Sequence, residues 1–374
     1  MKPTPLSLTR KLLSFDTTNP PGDERGCARY LAGLLENVGF EIRCYEFADK
    51  RSTLIARLAG AADQLPICFT GHMDTVPLGP TAWTKDAFAG ETDGDKLFGR
   101  GTSDMKSGVA AITLMALRLA KMSRRRAGMT LILTAGEETT CEGAAHVAAL
   151  PGVIGAAGAI IAGEPTANAP WIAHKGCVRY EIKIKGVAAH ASMPEEGVNA
   201  IHKAAGVIEK LRSFHFELPP HPILGKPTLA VTKMRAGTAI NIIPDEAMIG
   251  VDIRTLPGQT EEDVRRQLEA ALGAEVELGI LNSAESVGTD ADHPFVLEAF
   301  DTVRRLTGIR PLPAGAAYFT DCSVLTPAYG NPPTIILGPG EPEMAHKTDE
   351  YCYGSKIDLA VEAYWEIARN WCGI

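Results

Sequence analysis

Short apolar runs that end in a glycine-flanked histidine or carboxylate recur along this chain, and they restrict its fold more than any other feature. Ile67-Cys68-Phe69-Thr70 leads into Gly71-His72-Met73-Asp74, and Met129 through Thr134 leads into Ala135-Gly136-Glu137-Glu138. Ala159 to Ala162 leads into Gly163-Glu164-Pro165, and Thr334 to Leu337 leads through Gly338-Pro339-Gly340 towards His346. Runs this short and this apolar suit strands covered on both faces. Segments of helical spacing separate them. Leu6, Leu8, Leu12, Leu13 and Phe15 precede Asn19-Pro20-Pro21-Gly22, Gly26 to Val38 stops at Gly39, and Ser107 to Met122 is long. With a further strand over Ser52 to Leu58, the alternation predicts an α/β domain with a mostly parallel central sheet flanked by helices.

Between about Gly176 and Gly288 the pattern changes. Strand Val178 to Lys185, helix Asn199 to Phe214, strands Thr228 to Met234 and Ala247 to Thr255, helix Thr260 to Leu272 and strand Glu275 to Leu281 follow in turn. The helices carry one apolar face each, Ile201, Ala205, Ile208 and Leu211 in the first, Val264, Leu268 and Leu272 in the second. The order β-α-β-β-α-β is the ferredoxin-like unit. Residues 176–288 therefore read as an inserted α+β domain, with 1–175 and 289–374 forming a discontinuous catalytic domain completed by helix Pro294 to Thr307 and a C-terminal helix from Ser355 to Trp371. A length of 374 residues agrees with two domains.

A net charge of -8 argues against nucleic acid as a partner, because phosphate binding needs clustered cations, and Arg124-Arg125-Arg126 reads as a solvated turn. Eight cysteines without a CxxC pair point to reduced thiols and a cytoplasmic location. Arg10 and Lys11 interrupt the N-terminal apolar stretch, so no signal peptide is expected there, and no run approaches a membrane span.

Five side chains beyond the apolar runs carry the chemistry: His72, Asp104, Glu138, Glu164 and His346. Asp104 lies in Gly99-Arg100-Gly101-Thr102-Ser103-Asp104, before the long helix. Each alone has a plainer explanation: a histidine after a strand is usually polar surface, and Asp104 could cap its helix. Together, two imidazoles and three carboxylates suit two zinc-like ions that share one bridging carboxylate, with cobalt or manganese tolerating the same donors. An extended His72-Met73-Asp74 points residues 72 and 74 the same way, so Asp74 is expected to accept the second ring N–H of His72. Adjacent Glu137 and Glu138 project differently, so that one can hold metal while the other moves a proton. The composite reads as a hydrolase of amide bonds.

The runs GHMDTVP, GRGTSDMKSG, TAGEE, GEPT and GPGEPEMAHKTDE, in that order, resemble the co-catalytic zinc deacylases and exopeptidases that include acetylornithine deacetylase and succinyl-diaminopimelate desuccinylase. The resemblance implies a zinc-exopeptidase-like catalytic domain and an inserted lid and dimerisation domain. It implies that His72 and Glu164 complete one metal site, Glu138 and His346 the other, that Asp104 bridges them, and that a cis peptide follows Asp104. Glu137 becomes the general base and Asp74 the orienting carboxylate. In the inserted domain it assigns His190 to the oxyanion, in some relatives from the neighbouring subunit, and Asn241 and Arg254 to the substrate carboxylate. Thr320 and Asp321 fall in a specificity loop, where Tyr318 and Phe319 depart from the glycine-rich pattern of many relatives; Asp321 could pair with a substrate ammonium. The expected activity is hydrolysis of an N-acyl amino acid by a homodimer with two zinc ions per subunit. A dipeptidase or glutamate-type carboxypeptidase with the same centre is the near alternative, and a non-catalytic, metal-stabilised binding protein the distant one.

Overall fold

The computed structural model describes residues 3–61 and 64–374; Met1 and Lys2, at the start of the N-terminal stretch discussed above, and Ala62 and Asp63 lie outside it. The chain packs as two compact units, one made of Met1–Ala173, Gly288–Ala314 and Thr320–Ile374, the other of His174–Val287 and Gly315–Phe319.

In the first unit six strands form one sheet in the order Glu41–Ala48, Arg51–Leu58, Ala127–Thr134, Gln64–His72, Ala159–Ala162, Thr334–Ile336. The last four run parallel and the first two pair antiparallel at one edge, so the sheet is mixed with a parallel core. Ala127–Thr134 and Ala159–Ala162 are buried at every position, as strands covered on both faces must be. The edge strand Glu41–Ala48 is not evident in the sequence: Glu41, Arg43 and Glu46 are exposed, and charges of this kind on an edge also deter further pairing. Helices Ser107–Leu119 and Gly354–Cys372 pack on each other and on the sheet, where the Tyr364 ring meets Phe69 edge-on at 5.4 Å. Ala110, Ala111 and Ala116 keep Ser107–Leu119 slim enough to be buried on nearly all sides. Helices Glu142–Ala149 and Cys322–Ala328 are absent from the sequence reading, being too short to show a period.

In the second unit the sheet order is Thr228–Ala236, Glu246–Arg254, Cys177–Lys185, Val276–Ala284, all antiparallel. The first and fourth strands in chain order are neighbours, which is the ferredoxin-like arrangement. Val178, Tyr180, Ile182 and Ile184 alternate with solvent-facing residues and meet Ala204, Val207 and Leu211 of helix Ala200–Ser213 and Val264 and Leu268 of helix Glu261–Leu272. Local chemistry starts both helices: Asn199 accepts the Ile201 N–H, and Thr260 and Asp263 form a capping box. Among the described residues no helix is long and apolar enough to cross a membrane.

Candidate metal centre

Parallel strands deliver their carboxyl ends to one edge of the sheet. His72 stands level with Thr134, and Thr70 with Ala162, so His72, the Glu137-Glu138 turn and Glu164 emerge side by side. Asp104 reaches the same place from the turn before helix Ser107–Leu119, with φ -119° and ψ 94° and a cis peptide to Met105, as the resemblance implies. His346 comes from the loop after Thr334–Ile336, at a positive φ of 64°.

The distances define two groups of three. His72 Nε2 lies 3.0 Å from Asp104 Oδ1 and 3.8 Å from Glu164 Oε2. His346 Nε2 lies 3.0 Å from Glu138 Oε2 and 3.4 Å from Asp104 Oδ2. Donor atoms around a tetrahedral zinc, each at about 2.0–2.1 Å from the ion, stand about 3.3 Å from one another. His72, Asp104 and Glu164 can thus hold one cation, and Asp104, Glu138 and His346 another. The two oxygens of Asp104 face different imidazoles, as a bridging carboxylate requires.

The charges also fit. Glu138 Oε1 is buried with no hydrogen-bond partner, a costly state for a carboxylate that a cation would relieve. Burial, reinforced by Asp104, raises the Glu138 carboxyl, and burial pushes Glu164 up to about 7. Burial likewise raises Glu137 well above the usual range, with Glu164, Asp321 and Glu138 adding to it and His72 opposing. The imidazoles are raised as well, by the carboxylates around them. His346 is lifted to about 10 by its bonds to Asp104 and Glu138, and His72, despite burial, is raised by Glu164, Asp104 and Asp74. The cluster is short of positive charge, and two divalent cations match that need.

Asp74 differs from the expectation. The His72 Nδ1–H reaches the backbone oxygen of Asp74 at 3.0 Å, whereas the carboxylate is 3.6 Å away, beyond hydrogen-bond length. The carboxylate instead accepts the N–H groups of Glu137 and Glu138, each at 3.2 Å, and the Asn19 side-chain amide at 2.8 Å. It therefore orients the Glu137-Glu138 turn, while main chain orients the imidazole. Thr320 and Asp321 also differ: both are buried, at 1% and 2% exposure. Thr320 Oγ1 accepts the Cys322 N–H and Asp321 accepts the Thr134 hydroxyl, so they start helix Cys322–Ala328 against the sheet. Burial leaves Asp321 no surface for a substrate ammonium in this structure.

His190, Asn241 and Arg254 belong to the second unit. His190 is exposed, and its Nδ1 lies 2.7 Å from the Ser192 hydroxyl oxygen and 3.2 Å from the Ser192 backbone nitrogen; a neutral ring that accepts both there carries its proton on Nε2. Asn241 is exposed, its backbone oxygen accepting the Ala191 N–H. Arg254 shares Asp252 with Arg179, at 2.8 and 2.9 Å. One carboxylate between two guanidinium groups leaves an excess of positive charge there.

Two residues escaped the sequence reading. Asn19, noted only as part of a helix stop, holds Asp74; Glu350, the last residue of GPGEPEMAHKTDE, is buried beneath the Asp104 turn. Both stand inside the signature runs or beside prolines, but only their long-range contacts give them a task.

Residues 68–370 match the peptidase family M20/M25/M40. The chain is 33% identical over 98% of its length to an acetylornithine deacetylase of Photorhabdus laumondii, of which it spans 94%. In fold it is similar to an M20 family metallo-carboxypeptidase from Sulfolobus solfataricus, with TM-score 0.81, 16% identity and all of both chains covered. It is also similar to a dinuclear metal binding peptidase of Bacillus subtilis, with TM-score 0.74, 20% identity, and 99% and 98% of the two chains covered. The chain belongs to peptidase family M20/M25/M40, as a dinuclear metallo-hydrolase of the deacylase and peptidase kind.

Proposed function

We propose that the protein hydrolyses the amide bond of an N-acyl amino acid, releasing a carboxylate and the free amino acid. The observation that carries this reading is Asp104, turned with one oxygen to His72 and the other to His346, beside a Glu137 that belongs to neither ligand group. The relative named acetylornithine deacetylase, similar over nearly the whole chain, supports a deacylase over a peptidase.

His72, Glu164 and Asp104 would hold one cation and Asp104, Glu138 and His346 the other, with zinc the best match to two imidazoles and three carboxylates. When bound, such a pair supplies Lewis-acid activation of the amide carbonyl and of a water molecule. Glu137, partly exposed and held by Asp74 through its backbone N–H, takes a proton from water as the oxygen attacks the carbonyl carbon. As the C–N bond breaks, Glu137 passes that proton to the departing amine. His190, with its proton on Nε2, donates to the developing oxyanion, and Arg254, aided by Asn241, receives the substrate carboxylate.

In this reading 1–175 and 289–374 form the catalytic domain and 176–288 the lid. The exposed edge strand Thr228–Ala236 supports a homodimer through the lid, and eight unpaired cysteines support a cytoplasmic location. A size measurement showing a fully active monomer would remove the dimer.

The test is Glu137→Ala assayed against acetyl-ornithine, succinyl-diaminopimelate and a dipeptide panel. We expect two retained cations and turnover reduced roughly 100- to 10,000-fold. Unchanged hydrolysis would refute the role of Glu137, and a preference for dipeptides would refute the deacylase.

A further inference from the structure

We infer that Glu350 is a positioning residue that clasps the bridging Asp104 to the loop carrying His346, and so fixes the geometry between the two cation groups. The inference rests on the reading of Asp104 as the shared ligand.

Glu350 is fully buried, and both of its oxygens are used. Oε2 accepts an Arg100 Nη1–H at 2.7 Å and the Gly101 N–H at 2.9 Å. Oε1 accepts the Ser103 N–H at 2.7 Å and the Asp104 N–H at 3.0 Å. Three backbone N–H groups of one turn thus converge on a carboxylate, an anion cradle whose anion is a side chain from far along the chain. The amide of Asp104 is itself one of the donors, so its position is set by residue 350.

The same turn is stitched to the His346 loop on both sides. Arg100 also donates to the Lys347 carbonyl at 3.1 Å and to the Pro77 carbonyl at 3.2 Å. Ser103 Oγ donates to the Tyr351 carbonyl at 2.7 Å and accepts the Glu341 N–H at 2.9 Å. At Gly340 an added Cβ would come within 2.1 Å of the Ser103 carbonyl oxygen, so only glycine permits this approach. His346 has little packing of its own, its side chain being 56% exposed. Its place beside Asp104 is therefore inherited from the residues after it, and those are anchored by Glu350, Arg100 and Ser103.

The experiment compares wild type with Glu350→Asp, which keeps the charge opposite Arg100 but withdraws the carboxylate by one methylene. Metal-depleted proteins are titrated with Zn2+ against a chelating dye, melted without metal, and assayed at saturating Zn2+. The clasp predicts two ions at saturation, with Zn2+ affinity roughly 10- to 100-fold weaker, and a lower kcat with KM little changed. A lower melting temperature with wild-type Zn2+ affinity and kcat would reduce Glu350 to a structural ion pair and overturn the inference, as would no change at all. Arg100→Lys keeps the charge but loses the reach to Lys347 and Pro77, and is read the same way should Glu350→Asp not fold. Wild type binding fewer than two Zn2+ would sink the underlying reading of the centre instead.

Discussion

His174 offers a test of the structure that is independent of the active site. It is fully buried, its Nδ1–H donates to the Lys175 carbonyl at 2.9 Å, and its Nε2 has no partner. A second proton would sit on Nε2 in surroundings that offer it no acceptor, and burial accordingly pulls the imidazole down to about 4, against the Lys175 carbonyl, from its ordinary 6.5. Between those values the unfolded chain binds more protons at this site than the folded one, so stability rises with pH and is lost as pH falls from 6.5 towards 4. Integrating the difference gives a loss of about 2 kcal/mol at pH ~5 and about 3 kcal/mol at pH ~4, relative to neutrality. The comparison is His174→Phe, which keeps a ring but cannot titrate, with denaturant unfolding followed at several pH values for both proteins. All other groups titrate alike in the two, so wild type should lose about 3 kcal/mol more than the variant on going from neutral pH to ~4. Parallel losses would mean that His174 is solvated or paired in the native protein, and the burial argument would fail.

The two cation groups should differ in strength, because His72 is 1% exposed and pinned through Nδ1 while His346 is 56% exposed. Stepwise chelation should release the Glu138-His346 ion first, and His346→Ala should retain one ion that His72→Ala loses; equal loss in both variants would contradict this. Arg254→Leu should raise KM roughly 10- to 100-fold for a substrate with a free carboxylate and leave its amide-capped analogue unaffected, which steady-state kinetics on the pair would check. Arg51 bonds the fully buried Glu24 at 2.9 Å, so Arg51→Met should cost most, up to about 3–5 kcal/mol in denaturant unfolding, at alkaline pH where Glu24 is charged. That cost should shrink as the pH falls below about 7, where burial already favours a protonated Glu24.

Period and punctuation made much of the architecture legible. Val178, Tyr180, Ile182 and Ile184 alternate cleanly because one face of their sheet meets helices, and the capping box of Thr260 and Asp263 marks a helix start without any knowledge of the fold. Edge strand Glu41–Ala48 stayed hidden because a solvated edge needs no apolar period, and helix Glu142–Ala149 because two turns are too short to show one. Ligand candidates stood out for a different reason: four of the five follow a strand end, where an open α/β sheet collects its ligands, and Asp104 stands in the glycine-bearing turn that opens the long helix.

Which atoms meet is another matter. Nothing in the order of residues says that the His72 ring would find a backbone carbonyl rather than the Asp74 carboxylate, since that depends on Asn19 and the Glu137-Glu138 turn claiming the carboxylate first. Nor does it say that Asp321 would turn inward to Thr134, or that Glu350 would lie under Asp104, 246 positions away. Residue types, their spacing and local propensities are properties of the chain itself, so they determined the α/β class, the inserted ferredoxin-like unit and the pool of possible ligands. Hydrogen-bond partners and burial are settled by competition among distant groups for the same few donors, and that competition exists only once the chain has folded.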